Sequence, residues 1–123
     1  MSIRRMSMLA WVGVWAPPLA WALQHMAGFM LGLAECSPNG SRWNIPLAAW
    51  AAAFAAVAAL VAVAGIVAAV VAFRRSRELS DGPPPGSRIH FLAAMALAIG
   101  PLFLAIIVLN GLGTGLLDTC RPA

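Results

Sequence analysis

Long apolar runs alternate with short polar interruptions along this chain. Three runs stand out, at about 8–34, 47–73 and 89–117, and none contains Asp, Glu, Lys or Arg. Each exceeds the roughly 20 apolar residues that a helix needs to cross a hydrocarbon core about 30 Å thick. Backbone groups left unpaired in hydrocarbon are costly, so each run is predicted to be helical despite its prolines. The separators carry loop chemistry. Ser37-Pro38-Asn39-Gly40 is turn-forming, and Asp81-Gly82-Pro83-Pro84-Pro85-Gly86 interrupts any helix that would continue through it. The predicted fold is an all-α integral membrane three-helix bundle. It forms a single membrane domain over 1–123, with an outer loop at 35–46 and a cytoplasmic loop at 74–88.

Composition narrows the class further. The chain is 62% hydrophobic and 10% charged, against about 25% charged residues in soluble domains, so its main solvent is lipid. The sequence pI of 11.2 does not point to nucleic acid, because the arginines flank apolar runs instead of clustering with polar or aromatic readers. That placement orients a membrane protein during insertion. Arg4, Arg5, Arg74, Arg75, Arg77 and Arg88 fall on one side, and only Arg42 and Arg121 on the other. The positive-inside rule makes the first side cytoplasmic, with the N-terminus inside and the C-terminus outside, as expected for the bacterial inner membrane. Glu78 and Asp81 leave this side at +4, while Glu35 and Asp118 cancel the two outer arginines.

A rival reading of the N-terminus is a cleavable signal peptide, since Met1–Arg5, a short apolar run and Ala20-Trp21-Ala22 imitate one. Cleavage there would strand the apolar segment Leu23–Ala34, which is too short to span. A lipoprotein signal fits less well, because Glu35 puts a charge where a small residue should precede Cys36.

With this topology Cys36 and Cys120 both emerge on the outer, oxidising side and are expected to form a disulfide. That requires helices one and three to be neighbours at this end, with a Cα separation of about 4.4 to 6.8 Å. Two unpaired thiols, or a bond to a partner subunit, are the alternatives. Two thiols without further Cys or His outside do not make a metal site.

Polar groups at membrane depth are the first place to look for function. Gln24 and His25 lie twelve and eleven residues before Cys36, and Asn110 lies ten before Cys120. At 1.5 Å per residue all three sit about 15 to 18 Å below the cysteines. One reading gives His25 a haem iron or a proton to carry, but the other histidine, His90, falls at the opposite end. The plainer reading is an interhelical hydrogen bond from Gln24 or His25 to Asn110, or to a carbonyl freed by Pro17 or Pro18. Pro17 and Pro101 each precede a cysteine by nineteen residues, so the bends expected at Pro17-Pro18 and Pro101 share a level.

The second run, mostly Ala and Val around Gly65, is the expected packing spine, because small residues let helices approach closely in lipid. Gly28 to Gly32 and Gly111 to Gly115 repeat the small-xxx-small spacing, for internal packing or for a partner's helix. Trp11 and Trp15 at one boundary, and Trp43 and Trp50 at the other, read as interfacial anchors. Trp21 lies deeper, facing a partner or lipid.

The run Pro18-Leu19-Ala20-Trp21, then Gln24-His25, Gly28-Phe29 and finally Cys36, resembles the first helix of small membrane proteins encoded among bacterial cytochrome c oxidase genes. The likeness covers helix one, the three-span length and the outer cysteine. Phe29 stands where the family pattern favours Tyr. The resemblance implies an accessory or assembly-linked subunit near a haem-copper oxidase. The expected function is accordingly non-catalytic, within a larger respiratory membrane complex, with no cofactor of its own and no nucleic acid among its partners. No nucleophile and base fall at one depth, which argues against an enzyme. A small oligomeric transporter or channel, or a haem-binding protein using His25, is the alternative. The oligomeric state is not legible.

Overall fold

The computed structural model describes residues 1–37, 44, 46–116 and 120. Three α-helices account for nearly all of them: α1 (Ile3–Glu35), α2 (Leu47–Arg75) and α3 (Gly86–Leu116). A single 3-10 turn, Arg77–Leu79, lies between α2 and α3, and the described residues contain no strand. Each helix is long and apolar enough to cross a membrane, which makes this a multi-pass membrane protein. With 33, 29 and 31 residues, the helices are about 43 to 50 Å long. At the arginine-bearing end they run past the apolar stretches: α1 begins at Ile3, α2 ends at Arg75 and α3 begins at Gly86. Of the residues named above, Pro38, Asn39, Gly40, Arg42, Trp43, Leu117, Asp118 and Arg121 lie outside the described residues.

The ends have local causes. Ser2 caps α1, its hydroxyl accepting from the Arg5 amide at 3.4 Å. Arg74 and Arg75 close α2 where the negative end of its dipole favours cations. Gly86 starts α3 beside Leu79, whose Cβ would lie only 2.8 Å from a Cβ at residue 86, so the turn between α2 and α3 closes this tightly only on a glycine.

Inside the membrane each helix turns a line of residues inward at alternating spacings of three and four. On α1 these are Met6, Ala10, Gly13, Pro17, Ala20 and Gln24. On α2 they include Ala51, Ala58, Ala62, Gly65, Ala69 and Ala72, and Ala55 fills the remaining step against Gly111. On α3 they are Gly86, Ile89, Ala93, Ala96, Gly100 and Ile107, with the half-buried Phe103 at the step between the last two. This is the 3.5-residue period of coiled coils. It is built mainly from Ala and Gly, because lipid offers no hydrophobic gain for bringing two helices together and close backbone packing has to supply the attraction.

All three helices pack together at a waist around Pro17, Gly65 and Gly100. A Cβ at Gly65 would stand 3.0 Å from Ala16 Cβ and from Pro17 Cδ, and one at Gly100 would lie 2.9 Å from Ile66 and 3.8 Å from Pro17 Cγ. Pro17 is fully buried here, whereas Pro101 is exposed. The two proline levels therefore do coincide, but it is a glycine of α3, not its proline, that meets Pro17.

Candidate functional site

α1 is the helix that carries most of the chemistry. Its most apolar stretch has a mean hydropathy of 1.3, against 2.8 and 2.7 for α2 and α3, and Gln24 and His25 lie on this least apolar helix. The two neighbours face different ways. Gln24 continues the inward line of α1 and is 6% exposed, while His25, 100° further round the helix, is exposed.

Gln24 Nε2 donates to the Ile107 carbonyl of α3 at 3.2 Å. The acceptor is neither Asn110 nor a carbonyl freed by Pro17 or Pro18; it is a backbone oxygen one turn before Asn110. Gln24 Oε1 is buried and has no partner among the described residues. Swapping the amide's two ends would place Oε1 against the Ile107 oxygen, so the observed orientation is the better one. The side chain borders a cavity of about 20 Å3, lined by Gln24 and Gly28 of α1, Ala51 and Phe54 of α2, and Asn110 and Thr114 of α3. Such a space holds about one water molecule. Thr114 turns its hydroxyl back to the Asn110 and Gly111 carbonyls, at 3.2 and 3.0 Å. Gln24 and Asn110 thus meet at one depth across one small cavity, and His25 does not join them.

Burying a carbonyl without a partner costs about 1 to 3 kcal/mol, whereas an interhelical hydrogen bond in a bilayer contributes about 0.6 to 1.7 kcal/mol. For the isolated chain the two nearly cancel. Gln24→Met, close in shape and free of both groups, is expected to change unfolding stability in detergent micelles by less than about 1 kcal/mol. A loss above about 2 kcal/mol would show that Oε1 is satisfied after all.

The exposed His25 ring stacks on Trp21, with centroids 5.8 Å apart, and Trp21 in turn meets Phe103 of α3 at 5.7 Å. Trp21 packs against the buried cluster of Ala20, Ala58, Ala62 and Ile107, so it is a hinge between core and surface. Pro18, Trp21, His25, Gly28 and Gly32 recur at spacings of three and four. They form a second stripe on α1 beside the buried one.

The glycines divide into two groups. Gly65 and Gly111 are pressed against Ala16 and Ala55 respectively, whereas a methyl at Gly28, Gly32 or Gly115 would meet no described atom within 4 Å. Internal packing, one of the two readings of these spacings, is not what the structure shows for Gly28, Gly32 and Gly115. At this same end Cys36 and Cys120 form a disulfide with a Cα separation of 5.3 Å, which fastens the end of α1 to the residues that follow α3.

A further polar contact had no forecast from the sequence. Ser76, the fully buried cap of α2, places its hydroxyl 3.3 Å from the Phe73 carbonyl and 3.1 Å from His90 Nδ1. The His90 ring stacks on Phe73 at 4.5 Å. With Nδ1 protonated, the imidazole donates to Oγ and the hydroxyl donates to the carbonyl, so all three groups are satisfied. The available signal was a serine ending an apolar helix, with a histidine one turn inside the next. Three or more His, Cys, Asp or Glu side chains do not gather into a metal-binding group among the described residues. Compared with protein-family models, with curated proteins and with solved structures, the chain matches none of them.

Proposed function

We propose that the chain is a non-catalytic accessory or assembly-linked subunit of a larger complex in the bacterial inner membrane, with its N-terminus inside and its C-terminus outside. The partner implied by the helix-one resemblance is a haem-copper oxidase. The outer stripe of α1 carries this reading. His25 is exposed in the middle of a membrane helix, where an imidazole facing hydrocarbon is unfavourable until another polar group meets it. One and two turns further along, a methyl at Gly28 or Gly32 would meet no described atom within 4 Å, and small residues at that spacing admit a second helix at close range. Of the residues of the resemblance, Pro18, Trp21, His25 and Gly28 lie on this stripe, while Ala20 and Gln24 face inward. A partner's helix laid along it would meet a polar group, an aromatic ring and two glycines together. A solute pathway draws less support, because Gln24 turns into the bundle and its cavity takes about one water molecule.

Affinity purification from native membranes after mild detergent extraction tests this. The wild-type chain is expected to carry haem absorbance with it. The variant Gly28→Leu/Gly32→Leu should lose that absorbance by about tenfold or more, as for a central interface position, while unfolding no more easily than wild type on its own. A lone, monodisperse, colourless wild-type chain would overturn the proposal, and so would undiminished copurification of the variant.

A further inference from the structure

At the arginine-rich end a cleft lies between the first turns of α1 and the start of α3. Two hollows of about 640 and 560 Å3 open there, and both are bordered by Ser7, Trp11, Pro85 and Ile89, so they are parts of one groove. We propose that this groove is a binding site for one anionic phospholipid, with the phosphate held between Arg4 and Arg88 and an acyl chain lying along Trp11 and Phe91.

Charge and depth both select that occupant. Arg4 borders the groove from α1 and Arg88 from α3, and no carboxylate is among the described residues lining either hollow. Ser7 and Ser87 add hydroxyl donors at the same level. α1 and α3 also both begin at this end, so the positive ends of two helix dipoles point toward the headgroup layer. The first turns of these helices contain no acidic residue to offset them.

Further into the membrane the lining changes character. Trp11 lies seven residues beyond Arg4, about 10 Å deeper, and Phe91 lies one turn beyond Arg88. Both rings are exposed, at 48% and 64%. Their neighbours Met6 and Ile89 belong to a buried cluster with Ala10, Ala72 and Ala93, which gives the groove a packed floor. A cationic rim above an aromatic wall, at headgroup depth, matches a phosphate with its acyl chain attached. A soluble phosphate would use only the rim, and a neutral phospholipid would bring with its phosphate a quaternary ammonium that Arg4 and Arg88 repel and that no lining carboxylate receives.

Native mass spectrometry of the delipidated full chain tests the proposal, using phosphatidylglycerol and phosphatidylcholine with identical acyl chains. Wild type should retain one phosphatidylglycerol preferentially. At roughly fivefold per basic residue near the surface, the preference should reach on the order of twenty-five-fold for the pair. Arg4→Gln/Arg88→Gln should bring the preference close to parity. Arg74→Gln/Arg75→Gln removes the same charge from the same end but outside the groove, and should keep it. Ser7→Leu fills the groove without changing charge and should lower retention of either lipid. All five residues are surface-facing or half-buried, and unchanged helical circular dichroism verifies folding. Equal retention of the two lipids by wild type would overturn the proposal. Equal loss in both arginine double variants would show diffuse attraction in place of a site. Displacement of the lipid by millimolar inorganic phosphate would reassign the rim to a soluble anion and also refute it.

Discussion

Cys36→Ala/Cys120→Ala is expected to lower the stability of the bundle by about 2 to 4 kcal/mol, the largest effect of any change outside its packed interior. The bridge joins residues 84 apart in sequence, and for a free chain the loop-closure model gives about 4 to 5 kcal/mol at that length. The membrane reduces the figure. Once the three helices are inserted, residues 36 and 120 already share one face of the bilayer, and the search that the bridge eliminates is lateral. What remains is substantial, because beyond the contact of Gly111 with Ala55 a methyl at Gly28, Gly32 or Gly115 would meet no described atom within 4 Å. Unfolding of oxidised wild type, reduced wild type and the double variant in graded SDS and mild detergent mixtures gives the measurement. The last two should coincide, well below the first. Coincidence of all three would mean that packing alone holds α1 and α3 together there.

The three helices and the cysteine pairing were legible for the same reason. A bilayer fixes how many apolar residues a span needs, and counting spans then fixes which loops share a side. The inward faces were harder to read. In a soluble helix the apolar stripe marks the core, but lipid is as apolar as leucine, so exposed Leu23, Leu60 and Leu109 are no different in hydropathy from buried Ile107. Side-chain size carries the information instead. The series Ala51, Ala55, Ala58, Ala62, Gly65, Ala69 and Ala72 is visible at alternating three- and four-residue steps in the sequence, although alanines between those positions blur it.

The polar site was legible as a depth and not as a set of contacts. Cysteine-based counting puts Gln24 level with Asn110, and both border one cavity. The acceptor of Gln24, however, is the Ile107 carbonyl, and a backbone oxygen leaves no mark in sequence. His25 sits at the right depth but on the next face, because a step of one residue turns a helix by 100°. The same geometry separates glycines that share a spacing. Gly111 is pressed against Ala55, while Gly115, one turn along the same helix, meets no described atom within 4 Å.

That division of the glycines yields opposite signs for one substitution. Gly to Ala inside a helix ordinarily stabilises by about 1 kcal/mol through backbone entropy. At Gly32 a methyl meets no described atom within 4 Å, so Gly32→Ala should show that gain in the isolated chain. At Gly13 a Cβ would lie 2.8 Å from Ala69 Cβ, 3.2 Å from Ala69 Cα and 3.2 Å from the Gly65 carbonyl oxygen. Two of those three atoms are backbone, so no rotamer change relieves the contact and α1 must move away from α2. Overpacking of this kind costs about 1 to 3 kcal/mol. Gly13→Ala should therefore be destabilising despite its better helix propensity, and Gly13→Leu should lose about 3 kcal/mol or more by also opening the waist at Gly65 and Pro17. Detergent titration of the three variants beside wild type reads the order directly, with Gly32→Ala above wild type, Gly13→Ala below it and Gly13→Leu lowest. If Gly13→Leu unfolded together with wild type, the close crossing of α1 over α2 would be wrong, and with it the account of a bundle held by small residues at a 3.5-residue repeat.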